Sequence, residues 1–366
     1  MISFVWSPHE RLPAGTGGSE NYTIGHVREL NRRGVPAQVV TVGLGDDDGR
    51  DEFDGIPFLA LPSTAAIALL AEPVVFVSEA PEVPLLASAY QILHVPPPLR
   101  ARERADLTAA TQDRALIATS RFAARLWADF LDVDPPTIEV VHPFAEPVFA
   151  REPRPLPVPG QVRVLYAGRL TPEKGIYTLL AALHSDLIAG DERLSFTVTL
   201  AGAERPQGRI IRRLLDAHPG VRVVAAQRTP AAMAALMVDF DVVVMPSNSQ
   251  YWHETFGIVS IEAQHAGCRV VASDDGGLPE TDCGGLILVA PDDAEALAAG
   301  IVRAARAGPL TVPQRCAAAR EFTVAQSVDA LLAALSRPRS VTPSEIVRQL
   351  EELVRLPSPP DPVVPV

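Results

Sequence analysis

The chain has 366 residues, a length that suits about two domains, and its 47% hydrophobic and 21% charged residues are the balance of a soluble globular protein. A net charge of −12 and a pI near 5.2 argue against nucleic acid as a partner, so any phosphate site must be built locally. Cys268, Cys283 and Cys316 are odd in number and widely spaced, which excludes a disulfide framework or a zinc ribbon and suggests a reducing compartment.

No apolar run reaches membrane-spanning length, and residues 2–6 are too short for the apolar stretch of a signal peptide, so a cytoplasmic protein is expected. Those residues read as a first strand. A loop follows that ends in Gly15-Thr16-Gly17-Gly18-Ser19-Glu20, and then a helix over 20–33 with Ile24, Val27 and Leu30 on one face, stopped by Gly34. The glycine turn fails the dinucleotide fingerprint because Glu20 stands at the third glycine. It lacks the last glycine of a nucleophile elbow, and there is no Walker A sequence. Two readings remain: a plain tight turn, or a loop through which backbone approaches a diphosphate.

Strands are predicted over 39–42, 57–61, 74–77, 90–95, 116–119 and 138–142, with an acidic solvated loop at 46–54. Helices are predicted over 100–114 and 122–130, the second with Ser120 as its cap. His94 stands at a strand's carboxyl end before Pro96-Pro97-Pro98, where open α/β sheets bind ligands, although a lone histidine is more often structural. The proline density of 143–159 excludes a helix or a central strand, which makes 146–160 a linker between a domain over 1–145 and one over 161–336.

The second domain repeats the pattern. Strands are expected over 162–167, 196–201, 221–224 and 241–245, and helices over 176–184, 209–215 and 230–238. Residues 294–306, 314–319 and 324–335 read as a closing helical section, and 346–356 as one more helix before a proline-rich, extended tail. Lys174 is the only lysine in the chain, and it falls inside Gly168-Arg169-Leu170-Thr171-Pro172-Glu173-Lys174-Gly175.

Residues 242–272 read as one βαβ unit: a buried strand stopped by Pro246, a polar loop, a helix from about Phe256-Gly257, and a strand at 269–272. Glu254 and Glu262 bracket its helix start, slightly more than two turns apart, so both can address one ligand. Gly257 lets backbone come close, and the first free N–H groups of the helix form an anion site. An ordinary amphipathic helix with surface glutamates is the competing explanation.

Three sets of residues, in order, resemble one family. They are Ala167-Gly168-Arg169-Leu170 with Glu173-Lys174-Gly175, then Glu254-Thr255-Phe256-Gly257-Ile258-Val259 with Glu262-Ala263, then Gly276-Gly277-Leu278-Pro279-Glu280. Together with Gly17-Gly18-Ser19-Glu20 they resemble the retaining glycosyltransferases of family 4. The resemblance implies the GT-B architecture, two Rossmann-like α/β domains facing across a cleft, with a UDP- or GDP-linked nucleotide-sugar donor held mainly by the second. It further implies that Arg169 and Lys174 hold the donor diphosphate and that Gly17 and Gly18 meet it through backbone. Glu254 would bond sugar hydroxyls and Glu262 the ribose. Thr255, Phe256, Gly257 and Ile258 would face the donor, and His94 would stand beside the sugar. Ala226 stands where the family frequently has a glycine near the nucleobase, followed by Gln227 and Arg228, and Arg228 is counted with the donor-binding residues.

No cofactor beyond the nucleotide sugar and no metal are expected, because His253-Glu254 is followed by Gly257 where a zinc helix needs histidine. The acceptor is expected to be a small molecule or glycan. Glu103 and Asp106 interrupt Arg100, Arg102 and Arg104, so any membrane association is peripheral. Two rivals stay open: a non-hydrolysing nucleotide-sugar epimerase, which needs further acid–base residues, and a catalytically silent nucleotide-sugar-binding subunit.

Overall fold

The computed structural model describes residues 1–12, 17–71, 73–81, 83, 88–98, 101–250 and 252–337. The strands of the first domain are β1 (Ile2–Val5), β2 (Ala37–Val42), β3 (Phe58–Leu61), β4 (Val74–Phe76), β5 (Ala89–Leu93), β6 (Ala115–Ala118) and β7 (Glu139–Val140). They form one parallel sheet in the order β3-β2-β1-β4-β5-β6-β7. Its helices are α1 (Gly18–Arg32), α2 (Ala101–Thr111) and α3 (Arg121–Leu131). The central strands are near-continuous runs of valine, isoleucine and phenylalanine, buried on both faces as a helix-covered parallel sheet requires. Ser120 caps α3 as predicted, its Oγ accepting from the Ala123 N–H at 2.9 Å.

The second domain repeats the plan with β8 (Val162–Tyr166), β9 (Leu194–Thr199), β10 (Val221–Val224), β11 (Val242–Met245), β12 (Arg269–Ser273) and β13 (Leu286–Val289), parallel in the order β10-β9-β8-β11-β12-β13. Before it comes α4 (Pro147–Arg151). Its own helices are α5 (Ile176–Ala182), α6 (Asp186–Ala189), α7 (Pro206–Asp216), α8 (Pro230–Met237), α9 (Ile258–Ala266), α10 (Ala294–Ala307) and α11 (Val312–Ala318), and α12 (Val324–Leu335) follows. In both sheets the chain reverses direction of growth beside the first strand, between β1 and β4 and between β8 and β11. The carboxyl ends at those two points are where ligands bind in open α/β sheets.

Three sequence readings are corrected. The proline-dense segment does contain a helix, α4, because Pro147 takes its first position, where a missing N–H costs nothing. Phe149 is fully buried, and Arg315 pins the segment by donating to the Phe149 and Glu152 carbonyls at 3.0 and 2.7 Å. Arg154 adds an ion pair to Asp241 at 3.0 Å, so the segment is fastened to the second domain instead of hanging between the two.

The placing of 324–335 in the second domain is also wrong: Val328, Leu331 and Ala334 of α12 are buried in the core of the first, against Tyr22, Leu30 and Tyr90. The chain thus crosses between domains twice, and the crossings lie side by side, with the Ala145 N–H donating to the Phe322 carbonyl at 3.0 Å. The sequence reading omitted β13 altogether. The predicted helix over 346–356 and the tail lie outside the described residues.

Candidate functional site

The loop that leaves β8 is folded around one buried phenol. Tyr166 Oη donates to the Arg169 carbonyl at 2.8 Å and reaches the Lys174 carbonyl at 3.1 Å. Gly175 closes the loop at φ +69°, and a Cβ there would overlap the Pro246 carbonyl, so glycine is required for the two loops to touch. The Asn248 N–H donates to the Glu173 carbonyl at 2.9 Å and knits the β8 loop to the β11 loop.

Two residues that the sequence singled out separately meet here: Lys174 Nζ stands 2.5 Å from Glu254 Oε2. Ser247 Oγ adds a hydrogen bond to the same oxygen at 3.3 Å. Burial pushes the Glu254 carboxyl up, but the Lys174 charge and these hydrogen bonds outweigh it, and the net shift is downward. Arg169 is exposed, 3.9 Å from Glu173, with its guanidinium available to a ligand.

Helix α9 starts immediately beyond. Gly257 precedes it at φ +98° with no side-chain cap, which leaves the first N–H groups of the helix to a ligand or water. Gly276 and Gly277 press against the backbone of Glu254 and Thr255, with the Gly277 N–H donating to the Glu254 carbonyl at 2.7 Å. Glu262, one turn into α9, is buried at 2% exposure and has no hydrogen bond or ion pair among the described residues. Its pKa is pushed up to about 8, first by burial and then by the charge of Glu146.

Across the cleft, Gly17 and Gly18 start α1, and a Cβ at Gly18 would meet nothing, so backbone approach is open there. Gly15 and Thr16 lie outside the described residues. The Glu20 carboxyl folds back over Gly17, and Arg169 of the second domain is near enough to lower its pKa against a larger upward effect of burial. The His94 ring packs edge-on to Tyr22 at 4.8 Å, with its Nε2 buried and unpartnered. Burial, with a smaller contribution from His26, lowers its pKa to about 3, so the ring is neutral at physiological pH.

Contacts that the sequence did not reveal join the halves. Thr255 Oγ1 donates to the His94 carbonyl at 2.7 Å, and Ser120 Oγ donates to the Thr255 carbonyl at 2.5 Å. Glu280 accepts from the Arg121 and Phe122 N–H groups at 2.9 and 2.7 Å, so a carboxylate of the second domain caps α3 of the first. His142 Nε2 stands 3.4 Å from the same carboxylate.

Two expected donor residues take other places. The Phe256 ring is buried among His142 and Phe322, at 5.6 and 5.4 Å between ring centres, so its backbone alone faces the site. Arg228 is exposed on the loop after edge strand β10, with no hydrogen bond or ion pair to the Lys174–Glu254 pair. The Thr255 side chain is spent on the domain contact. Ser120 carried a readable signal as a cap; Glu280 stood in the last motif without a role.

Two Rossmann-like domains that face across such a cleft define the GT-B glycosyltransferase fold. Residues 161–307 match the model of the family described as Glycosyl transferases group 1. The chain is 34% identical over 182 residues to the glycogen synthase of Mycobacterium tuberculosis (strain H37Rv), covering 48% of this chain and 40% of that one. It is 32% identical over 241 residues to the D-inositol 3-phosphate glycosyltransferase of Streptomyces griseus, covering 57% of this chain and 49% of that one. The chain thus spans less than half the length of these relatives. A glycosyltransferase from Rickettsia africae superposes with a TM-score of 0.74 at 18% identity, over 91% of this chain and 97% of that one. HepE of Anabaena, in complex with UDP and glucose, superposes with a TM-score of 0.69 at 17% identity, over 92% and 99%.

Proposed function

We propose that the protein is a retaining glycosyltransferase that moves a sugar from a UDP- or GDP-linked donor to an acceptor hydroxyl. The observation that carries this reading is the Lys174–Glu254 pair, 2.5 Å apart at the carboxyl end of β11 beside the uncapped start of α9. A departing nucleoside diphosphate gathers negative charge. In this reading Lys174, Arg169 and the N–H groups of α9 meet that charge and stabilise it. When the diphosphate draws Lys174, Glu254 becomes free to accept from sugar hydroxyls. Glu262 lies deeper along α9, consistent with a ribose contact, and neutral His94 stands on the opposite wall. These roles are supported by the family that the second domain matches.

Retention is proposed because an inverting enzyme needs a general base facing the acceptor, and His94, neutral with its Nε2 buried, suits a sugar contact better. Glu254, the carboxylate that a double displacement would use, is taken here as the partner of the sugar hydroxyls instead. Same-face substitution remains, with the leaving phosphate taking the acceptor proton. The three free cysteines support a reducing compartment, and no helix among the described residues is long and apolar enough to cross a membrane.

The test has two stages. Thermal shift against UDP, GDP and their glucose and mannose conjugates identifies the donor, since a ligand of the folded state raises its melting temperature. Proton NMR of the anomeric coupling early in the reaction then gives the stereochemistry. An inverted product would overturn the mechanism, and indifference to every nucleotide would overturn the activity.

A further inference from the structure

A cavity of about 350 Å³ opens in the first domain beside the site, beneath the segments that follow β4 and β5 and against α2 and α3. Its body is apolar, formed by Ile92, Leu93, Leu107 and Trp127 with the prolines around them. Three of its polar groups are already committed. Gln91 Oε1 accepts from Arg114 at 2.9 Å, Thr111 Oγ1 donates to the Leu107 carbonyl at 2.7 Å, and Trp127 Nε1 donates to the Val95 carbonyl at 2.8 Å.

The uncommitted side chains are those of Ser78, Glu79 and His94. Ser78 and Glu79 are exposed, with no hydrogen bond or ion pair among the described residues. His94 has its Nε2 buried and unpartnered, and its carbonyl is tied to Thr255, next to Glu254, at 2.7 Å. The cavity therefore ends against the loop that would hold the donor sugar. Glu79 is the one formally charged group among its described lining residues.

We propose that this cavity seats the acceptor, and that the acceptor is an uncharged or amine-bearing molecule with an apolar body, its reactive hydroxyl held at the His94 end. The assignment rests on the transferase reading above. The apolar wall covers a ring or short aliphatic body of the acceptor. Glu79 at the mouth attracts an ammonium group and repels a carboxylate or phosphate, since like charges held close cost binding free energy. The charge at the mouth is thus a selectivity element.

Three probes of matched shape test it: tyramine, tyrosol and 4-hydroxyphenylacetate, which carry a positive, no and a negative charge on one aromatic body. Binding to the full chain is measured by saturation-transfer NMR, with UDP and GDP titrated in parallel samples. Tyramine and tyrosol are expected to bind at least tenfold more tightly than 4-hydroxyphenylacetate. Glu79→Gln should bring the three probes to about the same affinity, and Glu79→Lys should turn the order round. Glu79 is exposed, so both variants should fold as the parent does.

Equal binding of the three, tightest binding of the anion, or binding of none overturns the proposal, as does an order that Glu79→Lys leaves unchanged. If the probes keep the expected order while neither nucleotide binds, the transferase reading fails and the cavity remains a binding site of the stated preference. If nucleotides bind and the probe order is wrong, the acceptor assignment alone is lost.

Discussion

Lys174 Nζ and Glu254 Oε2 are 2.5 Å apart, and both side chains are largely withdrawn from solvent, with 22% and 15% of their surface exposed. The chain's single lysine is therefore held by a carboxylate of the neighbouring loop. In the proposed reaction a donor diphosphate would share it. Lys174→Ala should reduce kcat/KM for the donor by about tenfold to a hundredfold, the scale of one charge-assisted hydrogen bond of about 1.5–3 kcal/mol. It also leaves Glu254 without its counter-charge, so the melting temperature should fall. Glu254→Gln in the same chain should recover part of that loss. Steady-state kinetics near those of the parent would remove Lys174 from the site.

Glu262 gives the protein a pH dependence of a definite sign. Its folded-state pKa of about 8 lies above the ordinary value of 4.5. The folded state therefore holds a proton that the unfolded state has released, and stability from this group is full below pH 4.5 and is lost as pH rises towards 8. The slope approaches about 1.4 kcal/mol per pH unit in the middle of that window. Glu146, paired with Arg28 at 3.3 Å, is the charged group beside it; burial raises the Glu146 pKa as well, against a smaller lowering by Arg28, so Glu146 adds to the loss of stability in the same direction. Glu262→Gln, which mimics the protonated acid, should raise the melting temperature at pH 8 and leave it little changed at pH 4.5. An identical shift at both values would contradict the assignment.

Glu280→Ala should loosen the closed arrangement, because it removes the acceptor for two N–H groups at the start of α3 in the opposite domain. The expected loss is about tenfold in kcat/KM, with little change in the affinity for free nucleoside diphosphate. Small-angle scattering should show a larger radius of gyration, and Glu280→Asp should restore part of the activity. An unchanged scattering profile together with unchanged kinetics would contradict this role. The Glu280 carboxyl is held below its ordinary pKa of 4.5 by His142 and the two N–H groups against the effect of burial, so its contribution is complete above pH 4.5 and fades as the solution is acidified further.

Gly175→Ala should be among the most damaging single substitutions. It places a side chain at φ +69° and onto the Pro246 carbonyl. The left-handed backbone alone costs about 1–2 kcal/mol, and the overlap must be relieved by parting the β8 and β11 loops. Loss of donor binding together with a lowered melting temperature is expected, in contrast to Gly190→Ala, where the backbone is at φ −92° and the nearest neighbour would be 3.6 Å away.

The second domain was legible because its signals are local. A buried valine run, a breaking proline, a glycine before a helix and two glutamates at a helical interval all lie within 242–262. Lys174 and Glu254 were each marked by the motif of their own loop, but that these residues, 80 positions apart, form a pair was not legible. Contacts between domains carry no such mark. Nothing beside Glu280 announces that its partners are the N–H groups of residues 121 and 122, and nothing in the Phe256 side chain distinguishes a ligand contact from a place among His142 and Phe322. The misplacing of α12 has the same origin: its apolar face, Val328, Leu331 and Ala334, reads the same whichever core receives it.

That return of α12 to the first domain sets an order on biosynthesis. Domains generally fold as units while the chain emerges from its N-terminus. Here the core around Ile2, Phe4 and Tyr22 lacks one wall until residues 328–334 have been made. The second sheet, complete by β13, has all its strands before the first domain has its last helix. Until then the groove along α1 that receives α12 stays open on the nascent chain, with His26 awaiting Ser327 at 3.1 Å and Arg33 awaiting Asp329. A chain that ends before residue 324 would hold a finished second domain beside an unsealed first domain, and protease sensitivity of such truncated chains should be confined to the first domain.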